Sequence, residues 1–476
     1  MAHLKVCPFT MDIKGQRVLV VGLGKSGVAS ALFLESRGAK VAVSDAKSPE
    51  QLRDGIPQLL DHGISVETGQ HGERTFRDQD LIVVSPGVPY DVPQLVHARE
   101  RGIPVIGEVE LAARFLKGQI VAITGSNGKT TTTTLAGDII AAGGRKTLVG
   151  GNIGTPAITF VDRANDDSWL VLEISSFQLE TIETFHPQIG VVLNITPDHL
   201  DRHHTFDNYA AAKARIFENQ TTNDFAVLNA DNEPCAALAA RTKSEVYWFS
   251  RLDEVDRGAF VHGDQVGWRD RLGTRDIMPL SEISLKGSHN VENVLAAVCV
   301  GMLAGIQPEQ IRRAVAAFKA VEHRLEYVAT VAGVEYYNDS KATNVDATIK
   351  ALESFPGRIH LILGGKDKGS DYSVLNDLLK DRVKRVYTIG AAAAKIESQA
   401  SGTEIIEVGT LELALKRASE AATAGDVVLL APACASFDQF ESYEHRGRVF
   451  KDLVRQLAAR KQERERVGSG TPGGGK

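Results

Sequence analysis

The stretch "VAITGSNGKTTTTTLAGDII", Val121–Ile140, decides the fold of this chain. A β-branched apolar run ends in a glycine turn, and a segment with helical spacing follows, which reads as strand, loop and helix. Backbone N–H groups of a glycine turn that opens a helix form an anion site, and a lysine there neutralises a phosphate. Gly125, Ser126, Asn127, Gly128, Lys129, Thr130 and Thr131 supply those parts. The common phosphate loop places four residues between its glycines, whereas Gly125 and Gly128 enclose only Ser126 and Asn127. The loop is a shortened variant, with ATP as the expected nucleotide and the Thr130 hydroxyl as the expected Mg²⁺ ligand. The plainer reading, a structural glycine turn with a solvated Lys129, does not account for strand, Gly-x-x-Gly-Lys-Thr and helix occurring in this order.

Outward from the loop, "LVLEISSFQLE" ends a second strand at Glu173, a hard oxygen ligand suited to the same ion. The next strand runs into "NITPDHLDRH", which brings Asp198 and His199 to the ends of strands, where ligands of open α/β sheets bind. Taken alone, His199 reads equally well as a loop histidine. Lys213, in "NYAAAKARIFEN", reads from its surroundings as a solvated helix lysine.

The chain has 476 residues, of which 43% are hydrophobic and 24% charged, the composition of a soluble enzyme of several domains. A formal charge of -6 disfavours nucleic acid and anionic membranes as partners. The four cysteines lack CxxC spacing, so neither a disulfide framework nor a thiolate zinc site is expected. Without an export signal or a run of about 18 apolar residues, a cytoplasmic protein with no membrane span is expected. The fold class is α/β, in three domains. Residues 1–117 form a Rossmann-like domain with strands at "RVLVVG", "KVAVSD", "DLIVVSPG" and "IPVIGE". Residues 118–320 form a central ATPase-type domain with a mainly parallel sheet and an antiparallel insert from Glu245 to about Ser284. Residues 321–460 form a second Rossmann-like domain, and 461–476 a disordered tail.

"VVGLGKSG", with Gly22, Gly24 and Gly27 and with Asp45 closing the next strand, satisfies the dinucleotide fingerprint and on its own points to NAD.

Eight blocks in order, "TGSNGKTT", "GGNIG", "LEISSFQLE", "NITPDHLDRH", "KGSHNVENVLAA", "HRLE", "NDSKATN" and "APACASFDQF", resemble the Mur ligases from about Gly15 to Ala458. The short loop is shared with folylpolyglutamate synthase and names only the superfamily; "NDSKATN" and "APACAS" discriminate further. The resemblance implies ATP-dependent addition of D-glutamate to UDP-N-acetylmuramoyl-L-alanine through an acyl phosphate, in peptidoglycan precursor synthesis. It implies two Mg²⁺ ions, held by Thr130, Glu173, His199 and Lys213, the last carbamoylated. Asn152 is implied near the reacting carboxylate, Asn290 and Arg324 at ATP, Asp339 on its ribose or adenine side, and Lys341 at the transferring phosphoryl group or the acceptor. Thr343, Lys368, Ser436 and Tyr443 match the D-glutamate positions, with Lys366 as a rival to Lys368; Tyr443 stands where the family often has phenylalanine. The first domain is reassigned from NAD to the UDP moiety, with Gly22, Gly24, Lys25, Ser26, Gly27, Asp45, Lys47 and Gly87 as its contacts. Ala46 and Lys47 replace the threonine and arginine of the better-known pattern, and lysine lacks the bidentate contacts of arginine. Ligand-driven closure of the domains and a monomer are expected.

Two readings from other classes compete. A nicotinamide-dependent dehydrogenase leaves the Lys129 loop without a task, and a non-catalytic nucleotide switch leaves Thr343, Lys368 and Ser436 without one.

Overall fold

The computed structural model describes residues 11–468 except 54, 286 and 320. Three sheets carry the chain. The first is wholly parallel, with strand order Ser65–Thr68, Lys40–Asp45, Arg17–Val21, Leu81–Val84, Val105–Gly107. The order reverses beside Arg17–Val21, and the glycine loop leaves from that switch point.

The central sheet has nine strands. From one edge they are Gly273–Pro279, Gln265–Asp270, Gly258–His262, Glu245–Ser250, Phe225–Asn229, Ile189–Val192, Gln119–Thr124, Trp169–Glu173 and Thr147–Gly151. The expected insert therefore extends this sheet. It is antiparallel only among its last three strands, because Glu245–Ser250 pairs parallel with both neighbours. Gly258 permits that close pairing: its φ is +130°, and a Cβ would lie 1.7 Å from the Trp248 carbonyl oxygen.

The third sheet runs Glu326–Val331, Val334–Asn338, Val427–Leu430, Ile359–Gly364, Val383–Ile389, Glu404–Gly409, parallel except at its first pair. The mostly parallel α/β class expected from sequence is observed in all three sheets.

The chain forms two compact units. One comprises residues up to Ile195, Arg202–Glu282 and Glu292–Ala317, and so includes the first and central sheets. Its core is continuous across both sheets, from Val18, Val20 and Leu34 through Leu111 and Ile120 to Leu172 and Ile216. Glu110 reinforces the junction: its carboxylate accepts from the Glu183, Thr184 and Phe185 amides (2.8–2.9 Å) and from Arg114 (2.8 Å). The other unit comprises Thr196–Asp201, Ile283–Val291 and the chain from Phe318 on, with apolar layers on each face of the third sheet. The final helix, Tyr443–Gly468, continues through residues 461–468, which the sequence reading placed in a tail; the Arg, Lys, Gln and Glu of that stretch are good helix formers. The rest of the expected tail, 469–476, lies outside the described residues.

Candidate active site

In the first unit, buried strand Gln119–Thr124 delivers the chain to the loop, and helix Lys129–Ala142 leaves it. Both loop glycines are required. Gly128 has φ +84°, and a Cβ there would meet Asn293 Oδ1 at 2.1 Å; at Gly125, φ +154°, it would meet Leu193 Cβ at 2.9 Å. The loop is sewn to the neighbouring strand end. Ser126 N–H donates to the Asn194 carbonyl (2.9 Å), Asn127 N–H to Asn194 Oδ1 (2.8 Å), and Asn194 Nδ2 back to the Asn127 carbonyl (3.1 Å).

Lys129 Nζ folds over this turn and donates to the carbonyls of Gly125 (2.8 Å) and Ser126 (2.9 Å). Lys213, read from its surroundings as a solvated lysine, is 1% exposed; its Nζ donates to the Gly125 carbonyl at 2.8 Å and lies 4.5 Å from the centroid of the Tyr209 ring. Tyr209 in turn bonds Ser126 Oγ through its hydroxyl (3.0 Å). Sequence reasoning missed this tyrosine, although its place one helical turn before Lys213 was a usable signal. Asn293 was missed too: it packs against Gly128 and accepts from Thr132 Oγ1 (3.3 Å). The predicted Asn290 lies in the second unit.

Glu173 is 1% exposed at the end of its strand. Its Oε2 accepts from Thr130 Oγ1 (2.8 Å) and its Oε1 from Asn152 Nδ2 (3.0 Å). Parallel pairing of Gly151, Glu173 and Ile123 sets these groups side by side. Adjacent hydroxyl and carboxylate oxygens are the hard donors that Mg²⁺ selects, so this pair fits such an ion.

At the first sheet, Gly22 (φ +93°) lies against Ser85 and Val88, and a Cβ on Gly27 would come 1.8 Å from the Gly22 carbonyl oxygen, so that glycine lets helix and strand touch. Asp45 Oδ2 accepts from Leu23 N–H (2.7 Å) and Oδ1 from Lys47 N–H (2.9 Å). The acid thus braces the glycine loop and retains lone pairs for a ligand. Gly24, Lys25, Lys47 and Gly87 are exposed around it, and Ser26 is half-buried.

In the second unit, loops after Val334–Asn338, Ile359–Gly364 and Val427–Leu430 carry Asp339, Lys341, Thr343, Lys368 and Ser436, while Arg324 precedes strand Glu326–Val331 and Tyr443 opens the final helix. Asp339 is buried, and burial pushes its carboxyl up to about 7 against the opposing pull of the Arg324 guanidinium. Lys341 Nζ stands 3.7 Å from the centroid of the Tyr443 ring, whose carbonyl accepts from Ser340 Oγ (2.8 Å). Arg446, missed in the sequence, is wholly buried. It donates to Ser340 Oγ (3.0 Å), the Ser340 carbonyl (2.8 Å) and the Cys434 carbonyl (3.1 Å), so one guanidinium joins two of the loops. Burial lowers it to about 10, leaving it charged at neutral pH.

His199, with φ +54°, also belongs to this unit, although it follows the central strand Ile189–Val192 in the chain. Its neighbour Asp198 accepts from Asn344 Nδ2 (3.0 Å) and lies 3.6 Å from Lys368 Nζ. Thr343 and Lys368 are half-buried, Ser436 is buried, and the rival Lys366 is exposed. Among the described residues, Glu322, His323 and Glu326 form the one three-residue cluster with metal-ligand spacing; Lys451 pairs with both carboxylates, and His323 Nδ1 bonds Asn338 Nδ2 (2.9 Å).

Models of the Mur ligase MurD-like N-terminal domain, the Mur ligase middle domain and the Mur ligase glutamate ligase domain match residues 16–107, 123–301 and 323–434. The chain belongs to the Mur ligase family. The ligase is 70% identical to the UDP-N-acetylmuramoylalanine--D-glutamate ligase of Koribacter versatilis over 453 residues, 95% of this chain and 100% of that one. It is 62% identical to the enzyme of the same name from Acidobacterium capsulatum, covering 93% and 97%. Among solved structures it shares its fold with a MurF ligase from Thermotoga maritima in complex with ADP, at a TM-score of 0.59 and 17% identity, covering 94% and 97%.

Proposed function

We propose that this ligase joins D-glutamate to UDP-N-acetylmuramoyl-L-alanine with cleavage of ATP to ADP and phosphate, as a cytoplasmic step of peptidoglycan precursor synthesis. The observation that carries the proposal is the near-complete alignment at 70% identity with a relative bearing that name. The phosphate loop and the cationic, hydroxyl-lined second unit supply matching chemistry. Buried, free Cys235, Cys299 and Cys434 accord with a reducing compartment.

A carboxylate is a poor acyl donor because its charge deactivates the carbon and its oxygen is a poor leaving group. One carboxylate oxygen of the alanine attacks the γ-phosphorus, the bond to the β-phosphate oxygen breaks, and ADP leaves. The amine of D-glutamate then attacks the acyl carbon, a proton is lost from nitrogen, and phosphate departs with the C–O bond. Lys129 and the loop amides neutralise the charge on the phosphates. Thr130 and Glu173 are the residues that would hold Mg²⁺, which when bound offsets phosphate charge.

Lys213 is proposed to carry a carbamate. The modified nitrogen keeps one N–H, enough to retain its bond to the Gly125 carbonyl, while the side chain changes from cation to anion. Gly22, Lys25, Asp45 and their neighbours are proposed to take the UDP moiety, and Thr343, Lys368 and Ser436 the acceptor carboxylates. Tyr443, its ring engaged with Lys341, contributes through its main chain.

Phosphate release with Mg²⁺, ATP and UDP-N-acetylmuramoyl-L-alanine tests the reading, comparing D-glutamate with L-glutamate, L-lysine and no acceptor. Turnover that requires D-glutamate is expected. Equal turnover with another amino acid rejects this acceptor.

A further inference from the structure

The loop that carries Lys368 is organised around one carboxylate. Asp367 Oδ1 accepts from Ser370 N–H (3.1 Å) and the Tyr372 hydroxyl (2.8 Å), and Oδ2 accepts from Gly369 N–H (3.1 Å) and Lys395 Nζ (2.8 Å). Burial raises the Asp367 carboxyl, but these donors together outweigh it and hold the group below its ordinary value. Tyr372 is completely buried, and its hydroxyl lies 2.9 Å from Cys434 Sγ, itself buried and two residues before Ser436. Lys366 and Ala435 exchange backbone hydrogen bonds (2.8 and 3.0 Å), so the two loops are also zipped through the main chain.

A phenylalanine would fill the Tyr372 site equally well, and a buried hydroxyl is costly unless it bonds. Here it bonds on both sides, to the loop of Lys368 and to the loop of Ser436. Burial and Cys434 push the phenol upward, so it stays a proton donor throughout the working range.

We infer that Asp367, Tyr372 and Cys434 form a positioning network that fixes Lys368 relative to Ser436 and thereby sets affinity for the acceptor amino acid. The inference rests on the proposal that these two residues take the acceptor's carboxylates.

The test uses the full chain with Tyr372→Phe and Asp367→Asn. Tyr372→Phe removes only the bridging hydroxyl, and the expected result is a rise of about tenfold in KM for D-glutamate. The KM values for ATP and the UDP-linked substrate, and kcat, should stay within about twofold. Cys434→Ser, which restores a donor and acceptor, should remain near wild type. Hydrogen–deuterium exchange of residues 366–370 and 434–436 gives a readout independent of acceptor identity, and both segments should exchange faster in the Tyr372 and Asp367 variants. If wild type requires a different amino acid, the acceptor assignment fails while the network is still tested with that amino acid and by exchange. Unchanged acceptor KM with unchanged exchange, or a uniform loss across all substrates with a fall in Tm, overturns the inference.

Discussion

Lys129 and Lys213 donate to a single acceptor, the Gly125 carbonyl oxygen, each at 2.8 Å. Their ammonium groups therefore lie within twice that distance of each other. Two cations held so closely repel, and the repulsion is relieved when an anion binds or when one of them changes sign. The proposed phosphate binding at the loop would answer the first need and the proposed carbamate on Lys213 the second.

Replacing Lys129 by alanine is expected to lower kcat by about 10²- to 10³-fold, the range for loss of one preorganised charge contact. Lys213→Ala should also be severely impaired. In ¹³C-bicarbonate, wild type should show a carbamate carbon resonance that Lys213→Ala lacks; a bare amine under those conditions, by NMR and by mass spectrometry, removes the proposed modification.

Glu173→Gln keeps the size of the side chain and an acceptor for Thr130, and removes the charge. Half-maximal phosphate release should need at least about tenfold more Mg²⁺, a loss of about 1.4 kcal/mol in ion affinity. Magnesium titration of variant and wild type checks this, and superimposed curves would deny Glu173 a place near the ion.

Glu108 is 1% exposed; Oε1 accepts from Ile158 N–H (2.8 Å), while Oε2 has no hydrogen-bond partner. Burial pushes its carboxyl up to about 7, the nearby backbone N–H groups of Ile158 and Ala157 opposing. Between the unfolded carboxyl value near 4.5 and about 7 the folded chain binds more protons than the unfolded one, so this residue's contribution to stability falls as pH rises through that window. The full effect is on the order of 3 kcal/mol. Glu108→Gln should be more stable than wild type at pH 8 and should flatten the dependence, as read from urea unfolding at pH 5 and pH 8.

Asp426 has the opposite sign. Its side chain is fully buried, which raises the carboxyl. Lys384 (2.8 Å), Thr423 N–H (2.8 Å) and Arg358 (2.7 Å) outweigh that burial and hold it well below the usual range. Its stabilisation is present above the unfolded carboxyl value near 4 and is lost as pH falls through the folded one. Because Arg358 and Lys384 are about half exposed, Asp426→Ala should cost about 2 kcal/mol rather than the full value of a buried pair. Chemical unfolding at pH 7 measures this, and a loss below about 0.5 kcal/mol would contradict the role.

The sequence by itself determined the class of fold, because parallel strands buried on both faces leave near-continuous apolar runs such as "RVLVV" and "IHLIL". It missed Ser65–Thr68, Thr147–Gly151, Glu326–Val331 and Glu404–Gly409. All four are edge strands, paired on one side only and mixed in polarity, so the apolar signal is diluted. It also located the glycine turn between strand and helix and the Thr130–Glu173 pair, since a short motif between adjacent parallel strands fixes its own geometry. Only the tertiary structure decided the burial of Lys213, which three neighbouring alanines made look solvated and whose Nζ the fold sets against the Gly125 carbonyl. Only tertiary structure also revealed Asn293, Arg446 and the link from Asp367 to Cys434. Those contacts join positions far apart in the chain, and long-range pairing leaves no local period in a single sequence.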